Sequence, residues 1–233
     1  SLPQAFTRNK QQLGIAGLLG VLGGMAPDLD VLIRSNTDPL LFLEYHRQFT
    51  HSLFFVPFGG VIVGALLYYL LGKRFGLTLL ASCVYTTLGY ATHALLDACT
   101  SYGTLLLWPF SSERFAWNTV SVIDPLYTLP LLVGVLMAAL KKQARFARVA
   151  LIWALVYPLV GSIQRDRAIA AGWELAMSRG HQPVRLEAKP SFGNIVLWKT
   201  VYETDRYYYV DALHVAGELK HYMGERAEKL DIA

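Results

Sequence analysis

The sequence has little charge and almost no cysteine. Only 16% of its 233 residues are Asp, Glu, Lys or Arg, against about 25% in an ordinary soluble domain. Together with 54% hydrophobic residues, this scarcity excludes a disordered chain, a collagen-like or coiled-coil fibre and a conventional soluble enzyme. Two cysteines exclude a small disulfide-built domain and a cysteine-rich zinc site.

What the sequence has instead is long apolar blocks between short charged stretches. Ser52–Leu71 carries no charge for twenty residues, and Phe75–Leu96 carries none for twenty-two. An α-helix needs about 20 such residues to cross the hydrocarbon core of a bilayer, so the blocks predict membrane spans. The predicted spans, within a membrane bundle of residues 1–164, are approximately 13–26, 52–71, 75–97, 120–140 and 147–164.

The charges between these blocks predict an orientation. If the loops alternate between two sides, starting from residues 1–12, the first side holds eight basic residues and no acid up to residue 164. The other side holds three basic residues and all seven acids. This positive-inside pattern predicts that the first side is cytoplasmic. The net charge of +4 then reflects topology, and no nucleic-acid partner is expected.

Residues 165–233 differ in character, with ten basic and ten acidic residues and no apolar block long enough to span a membrane. Asn194–Tyr202 and Arg206–His214 read as a β-hairpin, and Val215–Leu230 reads as a closing amphipathic helix. The predicted fold is therefore an all-α polytopic membrane helix bundle with a small extracytoplasmic α+β C-terminal tail.

Three groups of ionisable side chains, separated by predicted spans, fall on the acidic side. They are Asp28 with Asp30; Glu44, His46, Arg47 and His51; and His93 with Asp97. Taken singly, the first group also fits a capped turn, the second fits ordinary interfacial residues, and the third fits a hydrogen-bonded pair. However, ionisable groups near a membrane are costly and tend to face a cavity, paired or bound. Their common side predicts one shared site.

The chemistry of these side chains suits a divalent metal. Imidazole and carboxylate together favour zinc first, with manganese, nickel or iron as alternatives, and the donors suffice for one or two ions. His93 and Asp97 are four residues apart, so a helix places both on one face. A metal-bound water can reach a pKa of about 7 and supply a hydroxide nucleophile. Arg47 would hold an anionic substrate oxygen, with phosphate as the first choice.

The same residues make the sequence resemble a bacterial family of membrane-bound metal-dependent hydrolases of the inner membrane. The resemblance covers about residues 13–165. It is carried by Pro27-Asp28-Leu29-Asp30, His46-Arg47-Gln48-Phe49-Thr50-His51-Ser52, His93 to Thr100 with Gly103, and Trp108-Pro109-Phe110. Many members also begin with a helix that opens in Thr-His-x-x-x-Gly. That motif is absent here, so the resemblance implies a further helix before Ser1, one more ligand and six spans.

These observations lead to a specific assignment of roles. Asp30, His51, His93 and Asp97 are the first-choice ligands, and Asp28 and His46 are candidates for a second metal or for supporting contacts. Glu44 is the predicted general base and Arg47 the substrate anchor, with Thr100 and Asn118 as further substrate contacts. The expected reaction is hydrolysis of a lipid or lipid-linked phosphoester at the extracytoplasmic interface, among membrane lipids.

Two alternatives stay open at the level of the sequence. One is a membrane protein without enzymatic activity, either a divalent-metal carrier or a scaffold with a structural ion. A transporter places its ionisable groups near the bilayer midplane, whereas here they lie at the span ends, which favours an interfacial enzyme. The other is an amide or carboxylic-ester hydrolase using the same site. The sequence does not determine the oligomeric state.

Overall fold

A computed structural model describes residues 1–38 and 40–230. The protein is mostly helical, with an antiparallel sheet at its C-terminal end. It divides into two compact units. The first comprises Ser1–Ala98, Tyr102–Ala116 and Tyr127–Leu155, and the second comprises Cys99–Ser101, Trp117–Leu126 and Val156–Ala233.

Each of the five apolar blocks of the sequence is helical. The α-helices of the described residues are α1 Leu2–Phe6, α2 Leu13–Met25, α3 Leu41–Tyr45, α4 Val56–Leu70, α5 Leu79–Ala98, α6 Pro125–Leu140 and α7 Ala144–Ser178. Tighter 3-10 turns occur at Lys10–Gln12, Pro27–Leu32, Phe49–His51 and Gly72–Phe75. The predicted span 147–164 lies within one continuous 35-residue helix, α7.

Among the described residues, three helical stretches are long and apolar enough to cross a membrane. They are Lys10–Leu32, Leu79–Ala98 and Ala144–Ser178. The helices α4 and α6 are apolar but have only 15 and 16 residues. At 1.5 Å per residue they reach about 23 Å, less than the ~30 Å hydrocarbon core. Both begin later than predicted, at a proline or just before one, because proline favours the first turn of a helix.

Glycines allow the helices of the first unit to pack closely. A side chain at Gly89 of α5 would collide with the carbonyl of Gly20 in α2, and one at Gly64 of α4 would collide with the backbone of Cys83 in α5. Small residues permit this approach of helix backbones in membrane proteins. The packing holds the C-terminal end of α5, which carries His93, close to the turn that follows α2.

The second unit contains the sheet. Its strands are β1 Arg185–Pro190, β2 Leu197–Glu203, β3 Tyr207–His214, β4 Lys220–Tyr222 and β5 Arg226–Glu228. The order is β1-β2-β3-β4, with β5 also pairing with β3, and all pairs are antiparallel. Trp198, Tyr202 and Leu213 are fully buried. The hairpin predicted from the sequence is confirmed as β2 and β3, while β1 was not predicted.

The predicted closing helix over Val215–Leu230 is wrong, because this segment forms β4 and β5 instead. The two short strands pair with opposite ends of β3, through Ala212 with Tyr222 and Tyr207 with Glu228. Between them, Gly224 lies against the carbonyl of Val210, where a Cβ atom would have no room. Glycine there permits the chain to cross the edge of β3 and also disfavours a helix.

Candidate metal site

Four side chains converge in the first unit: Asp28, His51, His93 and Asp97. One potential ligand atom from each lies within 4.8 Å of all the others. His51 Nε2 and His93 Nε2 are 3.2 Å apart. Asp28 Oδ1 lies 3.5 Å and 3.3 Å from these two nitrogens, and Asp97 Oδ2 lies 3.2 Å and 3.5 Å from them. The possible metal-binding cluster predicted from the sequence is therefore present, although its composition differs from the prediction.

These separations match those required around a metal. Bonds of 2.0–2.2 Å in a tetrahedral zinc site place neighbouring ligand atoms roughly 3.3–3.6 Å apart. Five of the six pairwise distances lie between 3.2 and 3.5 Å. Two imidazole nitrogens facing each other at 3.2 Å are also poorly satisfied by hydrogen atoms alone, since one proton at most can lie between them.

Three segments bring the donors together. Asp28 lies in the 3-10 turn that begins at Pro27, directly after α2. His51, which is fully buried, ends the 3-10 turn before α4, while His93 and Asp97 occupy the last turns of α5. The Tyr90 hydroxyl of α5 donates a 2.8 Å hydrogen bond to the carbonyl of Thr50, which joins the helix to the His51 turn.

The electrostatics of the site favour a cation. The carboxylates of Asp28, Asp30 and Asp97 face one guanidinium, that of Arg47, which leaves two negative charges in excess if the imidazoles are neutral. Burial alone would lower the pKa of His51, but hydrogen bonds to these carboxylates raise it to about 10. A proton and a metal ion would therefore compete for the same cluster.

Asp30 lies outside the group of four, although the sequence placed it among the first-choice ligands. Its Oδ1 accepts a hydrogen bond from His46 Nδ1 at 2.9 Å. Its Oδ2 accepts from the Arg47 N–H at 3.0 Å and the Thr50 hydroxyl at 2.9 Å, and lies 3.3 Å from His51 Nδ1. Carboxylates commonly contact the second nitrogen of a metal-binding histidine and so fix its orientation. The geometry gives Asp30 that supporting place.

His46 is also a neighbour of the group rather than a member. Its ring stacks on Phe42 at a centroid distance of 5.0 Å and meets the edge of Tyr102 at 5.3 Å. Its role as a second-metal ligand or as a supporting contact stays a prediction. The carboxylate of Glu44 is exposed on α3, and the described residues show no contact between it and the four donors. The general-base role of Glu44 stays a prediction.

Arg47 lies at the edge of the cluster in a strained backbone conformation. Its φ of 59° is in the left-handed region, which is uncommon for a residue other than glycine. The Nε atom is 3.0 Å from Asp97 Oδ2, and the guanidinium lies 4.9 Å from the centre of the Tyr102 ring. Its backbone carbonyl accepts a hydrogen bond from the Leu105 N–H at 3.1 Å. These contacts hold the positively charged guanidinium of Arg47 beside the four donors.

The two further predicted substrate contacts belong to the second unit. Thr100 is buried, and its carbonyl accepts a hydrogen bond from the Asn118 N–H at 3.4 Å. Asn118 has a φ of 53°. Their role as substrate contacts stays a prediction.

Sequence reasoning missed two residues of the site, Thr50 and Tyr102. The Thr50 hydroxyl lies 2.9 Å from His51 Nδ1. Thr50 lies within the motif from His46 to Ser52, so its position in the sequence could have indicated a role in the site. Tyr102 carries no comparable signal, because a single tyrosine after a helix indicates nothing about a ring packed on Arg47.

Comparison with known proteins identifies a family and similar proteins. A family described as YdjM inner membrane protein matches residues 2–168. The uncharacterized protein YfhP of Bacillus subtilis (strain 168) is 32% identical over 103 residues, which cover 44% of this chain and 30% of that protein. Inner membrane protein YbcI of Escherichia coli (strain K12) is 35% identical over 108 residues, covering 44% of this chain and 60% of that protein. No solved structure matches.

These relatives are longer than the regions that match, so the chain spans less than two thirds of either one. The family match includes all four donors together with Asp30 and Arg47. The predicted location in the bacterial inner membrane is confirmed by the family and by the Escherichia coli relative, and the apolar helices agree with it. The chain belongs to the YdjM inner membrane protein family.

Proposed function

We propose that this protein is a metal-dependent hydrolase of the inner membrane that acts on a lipid or lipid-linked phosphoester. The observation that carries the proposal is the convergence of Asp28, His51, His93 and Asp97 at separations suited to one divalent ion. Zinc is the first choice, with manganese, nickel or iron as alternatives. For a second ion, Asp28 and His46 are the candidate ligands.

The residues around the four donors would orient them and bind the substrate. Asp30 contacts His51 Nδ1, so that the Nε2 atom of the same ring faces the cluster. Arg47 is the one guanidinium that the described contacts place against a donor, and it would bind an anionic phosphoester oxygen. Tyr102 stacks on that guanidinium and restricts its movement.

Asp28 marks the side from which a substrate would approach. Its side chain is half exposed, whereas that of His51 is fully buried and that of Asp97 is nearly so. When bound, a divalent ion would supply Lewis-acid polarisation of the phosphoester and a water molecule with a lowered pKa. The protein itself would position the phosphoester between Arg47 and the open side of Asp28.

The site would face the extracytoplasmic side of the membrane, in a multi-pass bundle whose C-terminal domain lies on the same side. The charge distribution supports this orientation. Up to residue 164, the loops predicted to lie on the other side of the membrane carry eight basic residues and no acid. This placement would expose the site to lipid headgroups and to lipid-linked intermediates outside the cytoplasm.

Metal content and hydrolysis, measured on the same preparations, test the proposal. The wild-type protein, His93→Ala and Asp97→Ala are purified without added metal and analysed for bound elements. Each is then assayed with bis(p-nitrophenyl) phosphate, p-nitrophenyl phosphate and p-nitrophenyl acetate. The exposed histidine of β4 gives a matched control, His221→Ala. We expect both site variants to lose metal and phosphoester hydrolysis, while His221→Ala keeps them.

Other outcomes separate the alternatives. Full metal content and normal turnover in both site variants would contradict the assigned site. Hydrolysis of the acetate ester alone would favour a carboxylic-ester or amide hydrolase. Stoichiometric metal with no turnover of any probe would favour a carrier or a structural ion.

A further inference from the structure

The segment after α5 exposes apolar side chains without forming a helix. Residues 104–111, called here the apolar loop, contain no charged residue. Phe110 is 79% exposed and Leu107 is 45% exposed. Contiguous exposed apolar patches mark sites of interaction with proteins, membranes or ligands.

The apolar loop is continuous with the start of α4. Phe54 is 48% exposed and meets the rings of Phe110 at 5.6 Å and Phe58 at 5.5 Å. Phe58 is itself exposed on α4. Phe54, Phe58, Leu107 and Phe110 are called here the aromatic rim. The rim joins the loop to the exposed apolar side of a helix that packs along α5, one of the stretches able to cross a membrane.

Most backbone amides of the apolar loop are hydrogen-bonded within the chain. Six of its amides donate to carbonyl oxygens of the protein at 2.8–3.2 Å; they are those of Thr104, Leu105, Leu106, Trp108, Phe110 and Ser111. Unpaired backbone amides are what make irregular segments costly to move out of water. This loop can therefore leave water with little backbone penalty while its side chains gain from burial.

The apolar loop is also hydrogen-bonded directly to the segment that carries the candidate ligand His51. The Leu105 N–H donates to the carbonyl of Arg47 at 3.1 Å, and the Leu53 N–H donates to the carbonyl of Leu106 at 2.9 Å. These two bonds bracket His51 along the chain. The depth of the loop in a bilayer would therefore set the depth of the site.

We propose that the aromatic rim inserts into the headgroup region of the bilayer and holds the metal site at that depth. Aromatic side chains favour this interface, and the charged residues Glu113 and Arg114, both exposed, follow the loop and limit its depth. The bilayer is the fitting occupant because the rim continues the apolar surface of an inner-membrane protein. If the site lies at this depth, its substrate would enter from the bilayer. This consequence rests on the proposed function.

Spin-label accessibility measures the depth of the rim without any need for activity. The full chain, with Cys83→Ser and Cys99→Ser, is labelled at Phe110→Cys or, as a matched control, at Glu113→Cys. Both proteins are placed in nanodiscs of phosphatidylethanolamine and phosphatidylglycerol. We expect the Phe110→Cys label to be more accessible to oxygen than to a water-soluble nickel chelate, and the Glu113→Cys label to show the reverse.

Two outcomes would overturn the insertion. The first is nickel accessibility at Phe110→Cys equal to that at Glu113→Cys, because the rim would then lie in water. The second is exclusion of both reagents from Phe110→Cys, because a protein partner would then cover the rim.

A second experiment tests the route of the substrate. In the variant Leu107→Ser/Phe110→Ser, metal content and turnover of soluble bis(p-nitrophenyl) phosphate should stay as in the wild type. Turnover of a fluorogenic phosphodiester lipid embedded in vesicles should fall by about tenfold, because interfacial burial would be lost. An equal effect on both probes would contradict entry from the bilayer. Absence of turnover of either probe by the wild type would contradict the proposed function and leave the spin-label result valid.

Discussion

Each unit of the chain buries a polar cluster, and the two clusters are built in opposite ways. In the second unit, the Arg179 guanidinium donates to both oxygens of Asp211, at 2.6 and 2.9 Å. The Tyr202 hydroxyl contacts Arg179 at 3.2 Å and His181 Nδ1 at 2.7 Å. Donors and acceptors are matched there. In the first unit the carboxylates outnumber the cations when the imidazoles are neutral, and four potential ligand atoms lie within 4.8 Å of one another.

This difference distinguishes a cluster whose groups satisfy one another from a cluster that could bind a metal ion. The Arg179–Asp211 pair needs nothing further, so it serves to hold the end of α7 to β3. The four-donor group instead brings the lone pairs of two carboxylates and two imidazoles together, and ionisable groups near a membrane are usually paired or bound. The comparison predicts that damage to the two clusters has different consequences.

The largest expected effect is on the stability of the sheet. Arg179→Ala would leave Asp211, which is 3% exposed, as an unpaired buried charge, which costs about 3–5 kcal/mol. Hydrogen exchange of the β2 and β3 amides should become faster, while metal content stays unchanged. Arg167→Ala, an exposed arginine on the same helix, is the control. Equal exchange in both variants would mean that the pair does not stabilise the sheet.

A smaller effect is expected from the supporting carboxylate of the first cluster. Asp30→Asn keeps the four donors but weakens the contact that orients His51, so metal affinity should fall about 10- to 100-fold. Competition with a fluorescent zinc chelator measures the change, and stoichiometry should be retained. The exposed acid Glu113 supplies the control Glu113→Gln. A loss as large as that of Asp97→Asn would show that Asp30 is a direct ligand, as the sequence alone predicted.

The smallest expected effect is a different dependence of the two clusters on pH. The pKa of His51 is raised to about 10, so its protonated form stabilises the metal-free protein below the ordinary value of about 6.5. That contribution is lost as the pH rises towards 10, and metal affinity should rise by about tenfold per pH unit as the proton is displaced.

The second cluster should respond at the other end of the pH scale. Burial alone would raise the pKa of Asp211. The hydrogen bonds and positive charges around this carboxylate, those of Arg179 foremost, together lower the pKa by more than burial raises it, so the pKa lies below its ordinary value. Its contribution to stability is present above about 3.9 and is lost as the pH falls through the lower folded value. Calorimetric metal titrations and hydrogen exchange across both ranges check these signs. A pH-independent metal affinity between 6.5 and 10 would contradict the first.

Sequence reasoning located the helices and the donors because both depend on local pattern. The apolar blocks predicted α2, α4, α5, α6 and α7, and the Val-, Trp- and Tyr-rich runs Asn194–Tyr202 and Arg206–His214 predicted the hairpin. The four donors were all among the residues singled out, since an i,i+4 pair and two short motifs on one predicted side can be read without coordinates.

What the sequence could not supply was the direction of side chains in the turns. Asp28 and Asp30 are two residues apart in a 3-10 turn, and only the fold shows that Asp28 reaches the imidazole Nε2 atoms while Asp30 contacts Nδ1 of His51. The strands β4 and β5 were missed for a related reason. They are three residues each and pair with β3 through the backbone, so their side chains show no clear alternation.

The order of the donors along the chain has a consequence for biogenesis. Asp28 leaves the ribosome first, then His51, and the pair on the last turns of α5 follows only after α4 has been made. A cation held by all four residues can therefore be captured only when α5 has been synthesised and has reached its place beside α2. Loading of the site would report that this part of the protein has been integrated correctly.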